Sequence, residues 1–163
     1  MTPIVADTGP LIALARTGRL ELLRRLFRHI VIPPAVHEEL AIGSGRPGAT
    51  ALAAALAAKW ISVESVASRR VALELAQLLD SGEAEAIALA EQLDARFLLI
   101  DELAGRRIAR RRGVSVTGVA GVLLSAKASG AVVAVRPILQ ELSEAGYRLS
   151  TRLLASVLQR AGE

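Results

Sequence analysis

Pro3-Ile4-Val5-Ala6-Asp7-Thr8-Gly9-Pro10-Leu11-Ile12 is the stretch on which the reading of the chain turns. Ile4 to Ala6 is apolar without alternation, as expected of a strand covered on both faces, and Gly9-Pro10 stops it abruptly before a helix. Asp7 therefore stands at the carboxyl end of a sheet. In open α/β folds the ligand crevice lies outside those ends, which makes Asp7 a candidate site residue. The competing role is a helix cap, since aspartate is favoured just before a first helical turn.

Outward from this stretch, the chain alternates. Helical spacing predicts helices over Leu11 to Ala15, Leu20 to Phe27, Ala35 to Ile42, Ala49 to Ala58 and Val71 to Leu79. Further helices are expected over Glu83 to Leu93, Glu102 to Arg112, Val119 to Ser129, Ile138 to Ala145 and Thr151 to Arg160. Apolar or β-branched runs predict strands at His29 to Ile32, Trp60 to Val63, Phe97 to Ile100 and Val114 to Val116. Strands interleaved with helices argue for a three-layer α/β/α sandwich around a parallel sheet of about five strands. If the first and fourth strands are neighbours, as in order 3-2-1-4-5, then Asp7 and Asp101 flank one crevice. The 163 residues fit a single domain, with the C-terminal helices from about residue 132 to 163 packed on it.

Composition narrows the chemistry. With no Cys and only His29 and His37, thiolate and His-rich metal sites are excluded, so a bound metal must be held by oxygen. The 52% hydrophobic content is Ala-rich and interrupted by Gly, Ser, Thr or charge, which gives no membrane span. No basic segment followed by an apolar run precedes Asp7, so a cytoplasmic protein is the simplest reading. A net charge of +4 and a pI near 10.6 lean towards a polyanionic partner. The lean is sharpened by Arg106, Arg107, Arg110, Arg111 and Arg112, five arginines within seven residues.

Two strands ending on aspartate, with Glu39, Glu83 and Glu85 on neighbouring helices, place several carboxylates within reach of one another. Like charges so close resist joint ionisation unless protons or a hard cation compensate. A Mg2+ or Mn2+ site reconciles them, and such an ion, with arginines on the phosphates, suits phosphodiester hydrolysis. Each acid also has a plainer role: Glu39 on a solvated helix face, Glu83 or Glu85 in a helix first turn, Glu102 beside Asp101, and Thr8 as a cap or as a hydroxyl supporting Asp7. The arginine cluster likewise reads as a solvated helix face with acids as counterions.

Four stretches in order carry a resemblance: Val5 to Ile12; Ile32-Pro33-Pro34-Ala35-Val36-His37-Glu38-Glu39-Leu40; Asp80-Ser81-Gly82-Glu83-Ala84-Glu85-Ala86-Ile87-Ala88-Leu89-Ala90; and Leu99-Ile100-Asp101-Glu102. Together they resemble the PIN-like domain family, in particular its prokaryotic subgroup classed as a domain of unknown function. The resemblance extends over almost the whole chain, including Gly113 to Gly118 and Gly146 to Ser150. It implies a Mg2+- or Mn2+-dependent ribonuclease fold, often the toxin of a toxin and antitoxin pair and commonly a homodimer. By motif position Asp7, Glu39 and Asp101 are the implied catalytic and metal-site acids. Glu83 stands where the wider family usually has an aspartate, and Glu85 competes with it for that place. Arg106, Arg107, Arg110 and Arg111 are the expected contacts to RNA phosphates. Loss of activity within the subgroup is compatible with survival of these motifs, which leaves an inactive, partner-binding domain as one alternative. A second is a helix-turn-helix DNA-binding module over residues 106–124, whose second helix offers Gly118, Val119, Ala120 and Gly121 and so little to bond a base edge.

Overall fold

The computed structural model describes residues 2–163. The sheet is built from β1 (Ile4–Ala6), β2 (Ile30–Ile32), β3 (Ile61–Val63), β4 (Phe97–Leu99) and β5 (Val116–Thr117). All its pairings are parallel and the order is β3-β2-β1-β4-β5. Around it run α1 (Thr8–Arg16), α2 (Glu21–Phe27), α3 (Pro34–Glu39), α4 (Ala49–Ala57) and α5 (Arg69–Ala76). The second half contributes α6 (Ser81–Gln92), α7 (Leu103–Arg111), α8 (Val119–Ala128), α9 (Arg136–Glu144) and α10 (Thr151–Ala161). Every residue of β1 and β2 is buried, which is why those strands read as unbroken apolar runs. The result is the expected three-layer sandwich.

The strand order reverses between β1 and β4, and their register sets Ile4 against Phe97, Val5 against Leu98 and Ala6 against Leu99. The Asp7 N–H extends the ladder by donating to the Leu99 carbonyl at 2.9 Å. Asp7 and Asp101 thus leave the sheet at the same end from adjacent strands.

Several boundaries differ from the sequence reading for local reasons. Helix α1 begins at Thr8, directly after Asp7, because Pro10 fits a first helical turn where its missing N–H costs nothing. The fifth strand lies at Val116–Thr117 rather than Val114 to Val116; Val114 is instead a buried residue leading into it. Helix α5 starts earlier, at Arg69, where the Ser68 hydroxyl accepts from the Val71 N–H at 3.3 Å. Helix α6 carries more than one apolar face: Gly82, Ala84, Ala86, Ile87, Ala88, Leu89 and Ala90 are all buried. Its alanines let it sit between the sheet and its neighbouring helices.

The helix-turn-helix expectation fails here. Between α7 and α8 the chain enters the sheet as β5, paired with β4 through Leu98 and Leu99. The supposed recognition helix α8 is committed to the core through Val119, Val122, Leu123 and Ala126. What it leaves outside the core is chiefly Ala120, Gly121, Leu124, Ser125 and Ala128, with little to bond a base edge.

One loop position tests the packing. Gly48 precedes α4 with φ +89°, and a Cβ there would lie 2.8 Å from the carbonyl carbon and Cβ of Ala15 in α1. Gly45 shares a positive φ of +74° but has open space around it. Gly45→Ala is expected to cost about 1 kcal/mol from backbone strain alone, and Gly48→Ala a further ~1–3 kcal/mol from the collision. Urea unfolding of the two variants measures the difference; equal midpoints would remove the packing argument.

Candidate active site

Four of the acids named from the sequence line one cleft of about 390 Å³ beyond the carboxyl ends of β1 and β4: Asp7, Glu39, Glu83 and Asp101. Thr8 and Glu102 line it as well, and so do two residues the sequence reading passed over, Asp80 and Tyr147. Asp80 stands three residues ahead of Glu83, the first residue of the predicted helix. The pattern of an aspartate three residues before a glutamate, ahead of an apolar run, is the capping-box signal that marks it. Tyr147 carried no such signal, because it arrives from the distant turn after α9.

Three helices aim their amino termini at the cleft, where their N–H groups meet the carboxylates. Asp7 occupies the N-cap position of α1 without forming a side-chain cap hydrogen bond, so capping does not account for it. Glu39, at the end of α3, is fixed at both oxygens: Thr8 Oγ1 donates to Oε2 at 2.6 Å, and the Gly82 N–H of α6 donates to Oε1 at 3.1 Å. Thr8 therefore supports Glu39 rather than Asp7. Asp101 Oδ1 accepts from the Val119 N–H of α8 at 3.0 Å. A Cβ on Gly82 would collide with the Glu39 carboxylate, and one on Gly118 with Asp101 Oδ1. Glycine at these two helix starts is what lets the carboxylates approach the backbone.

Glu83 closes a capping box: its Oε2 accepts from the Asp80 N–H at 3.3 Å while Asp80 Oδ1 accepts from the Glu83 N–H at 2.8 Å. It faces the cleft even so. Glu85 does not; its Oε1 accepts from the Ala35 N–H at 3.2 Å, capping α3 away from the other acids.

Burial and mutual repulsion dominate the electrostatics. Asp7 is 6% exposed, and desolvation, reinforced by the charges of Glu83, Asp80 and Glu39, lifts its pKa from 3.8 to about 7 against the opposing pull of the Thr8 N–H. Desolvation also raises Glu83, with Asp80 adding to it. Asp101 is raised by burial, in opposition to Tyr147, the Val119 N–H and Arg106. Burial and the facing Asp101 in turn raise the Tyr147 hydroxyl. That hydroxyl does not close a well-formed bond, and Asp101 Oδ2 is left buried without a partner, as is Asp7 Oδ1.

Two unpartnered buried carboxylate oxygens in an all-oxygen donor set fit a hard divalent cation such as Mg2+ or Mn2+. Among the described residues no three acidic or His side chains stand close enough to hold an ion by themselves. An ion bound here would have at most one or two direct carboxylates, with water in its other positions.

The arginines divide. Arg106 and Arg110 face a larger groove of about 820 Å³ that opens from the cleft past Asp101, Glu102 and Tyr147. Arg106 is partly committed, donating to the Ile100 carbonyl at 2.8 Å. Arg107 and Arg111 are exposed and lie outside that groove. Arg112 matches the counterion reading, with a two-pronged pair to Glu91 at 2.7 and 2.8 Å.

Among the described residues no helix is long and apolar enough to cross a membrane. No curated protein matches the chain. A solved domain of a functionally unknown protein from Methanocaldococcus jannaschii is similar at 22% identity and a TM-score of 0.46, covering 72% of this chain and 91% of that one. Comparison with protein families matches residues 3–163 to the one described as PIN domain. With its nuclease-type fold and acid-lined cleft, the chain belongs to the PIN domain family.

Proposed function

We propose that this protein is a divalent-metal-dependent endoribonuclease. The observation that carries the reading is the pair of buried, unpartnered oxygens, Asp7 Oδ1 and Asp101 Oδ2, at the ends of adjacent strands in one cleft. Asp7 and Asp101 would hold the ion directly, with Glu39 and Glu83 acting through its waters. When bound, Mg2+ or Mn2+ supplies a Lewis acid for a phosphoryl oxygen and a more acidic water. The chain's own part is to fix Glu39 through Thr8 and Gly82 and to present arginines to the phosphates. A role as the toxin of an antitoxin pair and assembly as a homodimer are proposed from family resemblance.

An inactive, partner-binding domain is the second reading, favoured by the lack, among the described residues, of three acids close enough to grip an ion unaided. Cleavage of a labelled RNA with Mg2+ or Mn2+ by the wild type and by Asp7→Asn separates the two. Loss of several kcal/mol of transition-state stabilisation should slow Asp7→Asn by about 100-fold or more. Equal rates would place the activity elsewhere, and no cleavage by the wild type would favour the inactive reading.

The same carboxylate predicts a pH effect on the metal-free protein. Below 3.8 the Asp7 carboxyl holds its proton folded or unfolded; between 3.8 and about 7 only the folded state holds it. The folded state therefore loses stability as pH rises through that window, by up to about 1.4 kcal/mol per pH unit, and the loss is complete above about 7. In EDTA the melting temperature should fall between about pH 5 and pH 8, and fall less for Asp7→Asn. Added Mn2+ at the upper pH should restore more of it in the wild type than in the variant. A wild-type melting temperature that rises with pH would contradict the assignment of a destabilised carboxylate to Asp7.

A further inference from the structure

The groove that opens from the acid cleft has α7 as one wall and the segment from Tyr147 into α10, with Arg148 and Arg160, as the other. Arg106 stands on the α7 wall among four other arginines, but it is not used as they are. Its Nη1 donates at 2.8 Å to the carbonyl of Ile100, a fully buried residue between β4 and Asp101.

That carbonyl has a different partner due to it. Along the parallel pair of β4 and β5, the Leu98 N–H donates to the Ser115 carbonyl and the Ile100 N–H to the Thr117 carbonyl, both at 2.8 Å. Continued by one step, the evenly spaced ladder would have the Val119 N–H donate to the Ile100 carbonyl. Instead the Val119 N–H donates to Asp101 Oδ1 at 3.0 Å. The rung has been exchanged: the Arg106 side chain takes its acceptor and the Asp101 carboxylate takes its donor. A buried carbonyl or N–H left without a partner is costly, so each half of the exchange depends on the other.

The local packing makes room for both new partners. At Gly105 a Cβ would lie 2.6 Å from Ile100 Cδ1, so glycine lets α7 settle on the end of β4 and bring Arg106 over it. At Gly118 a Cβ would run into Asp101 Oδ1 and come within 3.1 Å of Arg106 Nη1, so the two side chains meet on bare backbone at the start of α8. Among the described residues Arg106 nonetheless forms no ion pair, and Asp101 Oδ2 stays without a partner.

We infer that Arg106 is a positioning residue for Asp101: by holding the Ile100 carbonyl it withdraws that acceptor from the Val119 N–H, which then fixes Asp101 Oδ1 and leaves Oδ2 for the ion. The task given to Asp101 rests on the nuclease reading; the role of Arg106 goes beyond it and takes this arginine out of the set that meets phosphates.

Amide NMR of the metal-free protein reads the exchange directly. In the wild type, couplings through hydrogen bonds should join the Val119 nitrogen to the carboxyl carbon of Asp101 and not to the carbonyl carbon of Ile100. Asp101→Asn should move the Val119 amide signal, and should move it far less when Arg106→Met is already present, because the N–H has then returned to the Ile100 carbonyl. Titration with Mn2+, followed by electron paramagnetic resonance of the free ion, gives a second readout. Loss of a nearby cation by itself favours binding another, so Arg107→Met, at an exposed position outside the groove, should bind Mn2+ as tightly as the wild type or slightly more so. Arg106→Met removes the same charge and should nevertheless bind about tenfold or more weakly, the usual scale for losing a group that orients a ligand. A wild-type coupling from Val119 to the Ile100 carbonyl, a Val119 signal that follows residue 101 equally with and without Arg106, or undiminished Mn2+ binding by Arg106→Met would overturn the inference. Failure of the wild type to bind Mn2+, with the Val119 signal still following Arg106, would refute the metal-dependent reading and leave Arg106 in this role.

Discussion

The parallel pairing of β1 with β4 brings two carboxylates from residues almost a hundred positions apart to one end of the sheet, and the surrounding structure is an answer to the charge this creates. Carboxylates so buried would ordinarily take up protons. The fold meets Glu39 and Asp101 with donors it has to spare, the orphan N–H groups at the starts of α6 and α8 respectively, and thins the backbone to glycine at Gly82 and Gly118 so that these carboxylates can reach them. The compensation is incomplete. Asp7 Oδ1 and Asp101 Oδ2 are left without a well-formed hydrogen bond, and an arrangement that a stability-optimised protein would avoid is the strongest sign of a functional site on this chain.

The segment after α8 contributes differently. Helices α9 and α10 add Ile138, Leu139, Leu142 and Val157 to the core, yet α10 is otherwise lightly buried. Its far end is tied down by polar contacts: the Glu163 carboxylate accepts from the Val135 and Arg136 N–H groups at 2.7 and 3.1 Å and pairs with Lys127 at 3.0 Å. These donors, the Val135 N–H first, hold its pKa down at about 2. One carboxylate thus serves as the missing cap of α9 and fixes the helix carrying Arg160. The groove keeps its second wall because of a contact made well outside it.

What the sequence made legible was local. An apolar run ending on an acid, as in Ile4 to Asp7 and Phe97 to Asp101, states both strand and site in a few residues, and the three-layer architecture followed from alternation. Glu83 and Glu85 could not be told apart, because two residues along a helix change face and only the position of the Ala35 N–H shows which face is which. The arginine run read as one cluster, although its own spacing divides it: Arg106 and Arg110 are four apart on one side, Arg107 and Arg111 on another. Tyr147, Arg148 and Arg160 were beyond local reading altogether. Tyr147 reaches the cleft, and the two arginines the groove beside it, through the packing of α9 and α10, which no spacing in the sequence encodes.

The glutamate at position 83 follows from the same reasoning. An aspartate there could face the cleft, but it is one methylene too short to reach back to the Asp80 N–H as Glu83 Oε2 does. The longer side chain stabilises the first turn of α6 and still keeps its carboxylate among the other acids, with Gly105 on α7 leaving space beside Oε1. That double use has an electrostatic consequence. The box sets Asp80 beside Glu83, so Asp80 raises the cost of ionising Glu83, and both act on Asp7. A cap that would steady any helix here also deepens the negative potential of the cleft, so helix stability and the charge of the cleft are set by the same pair of side chains.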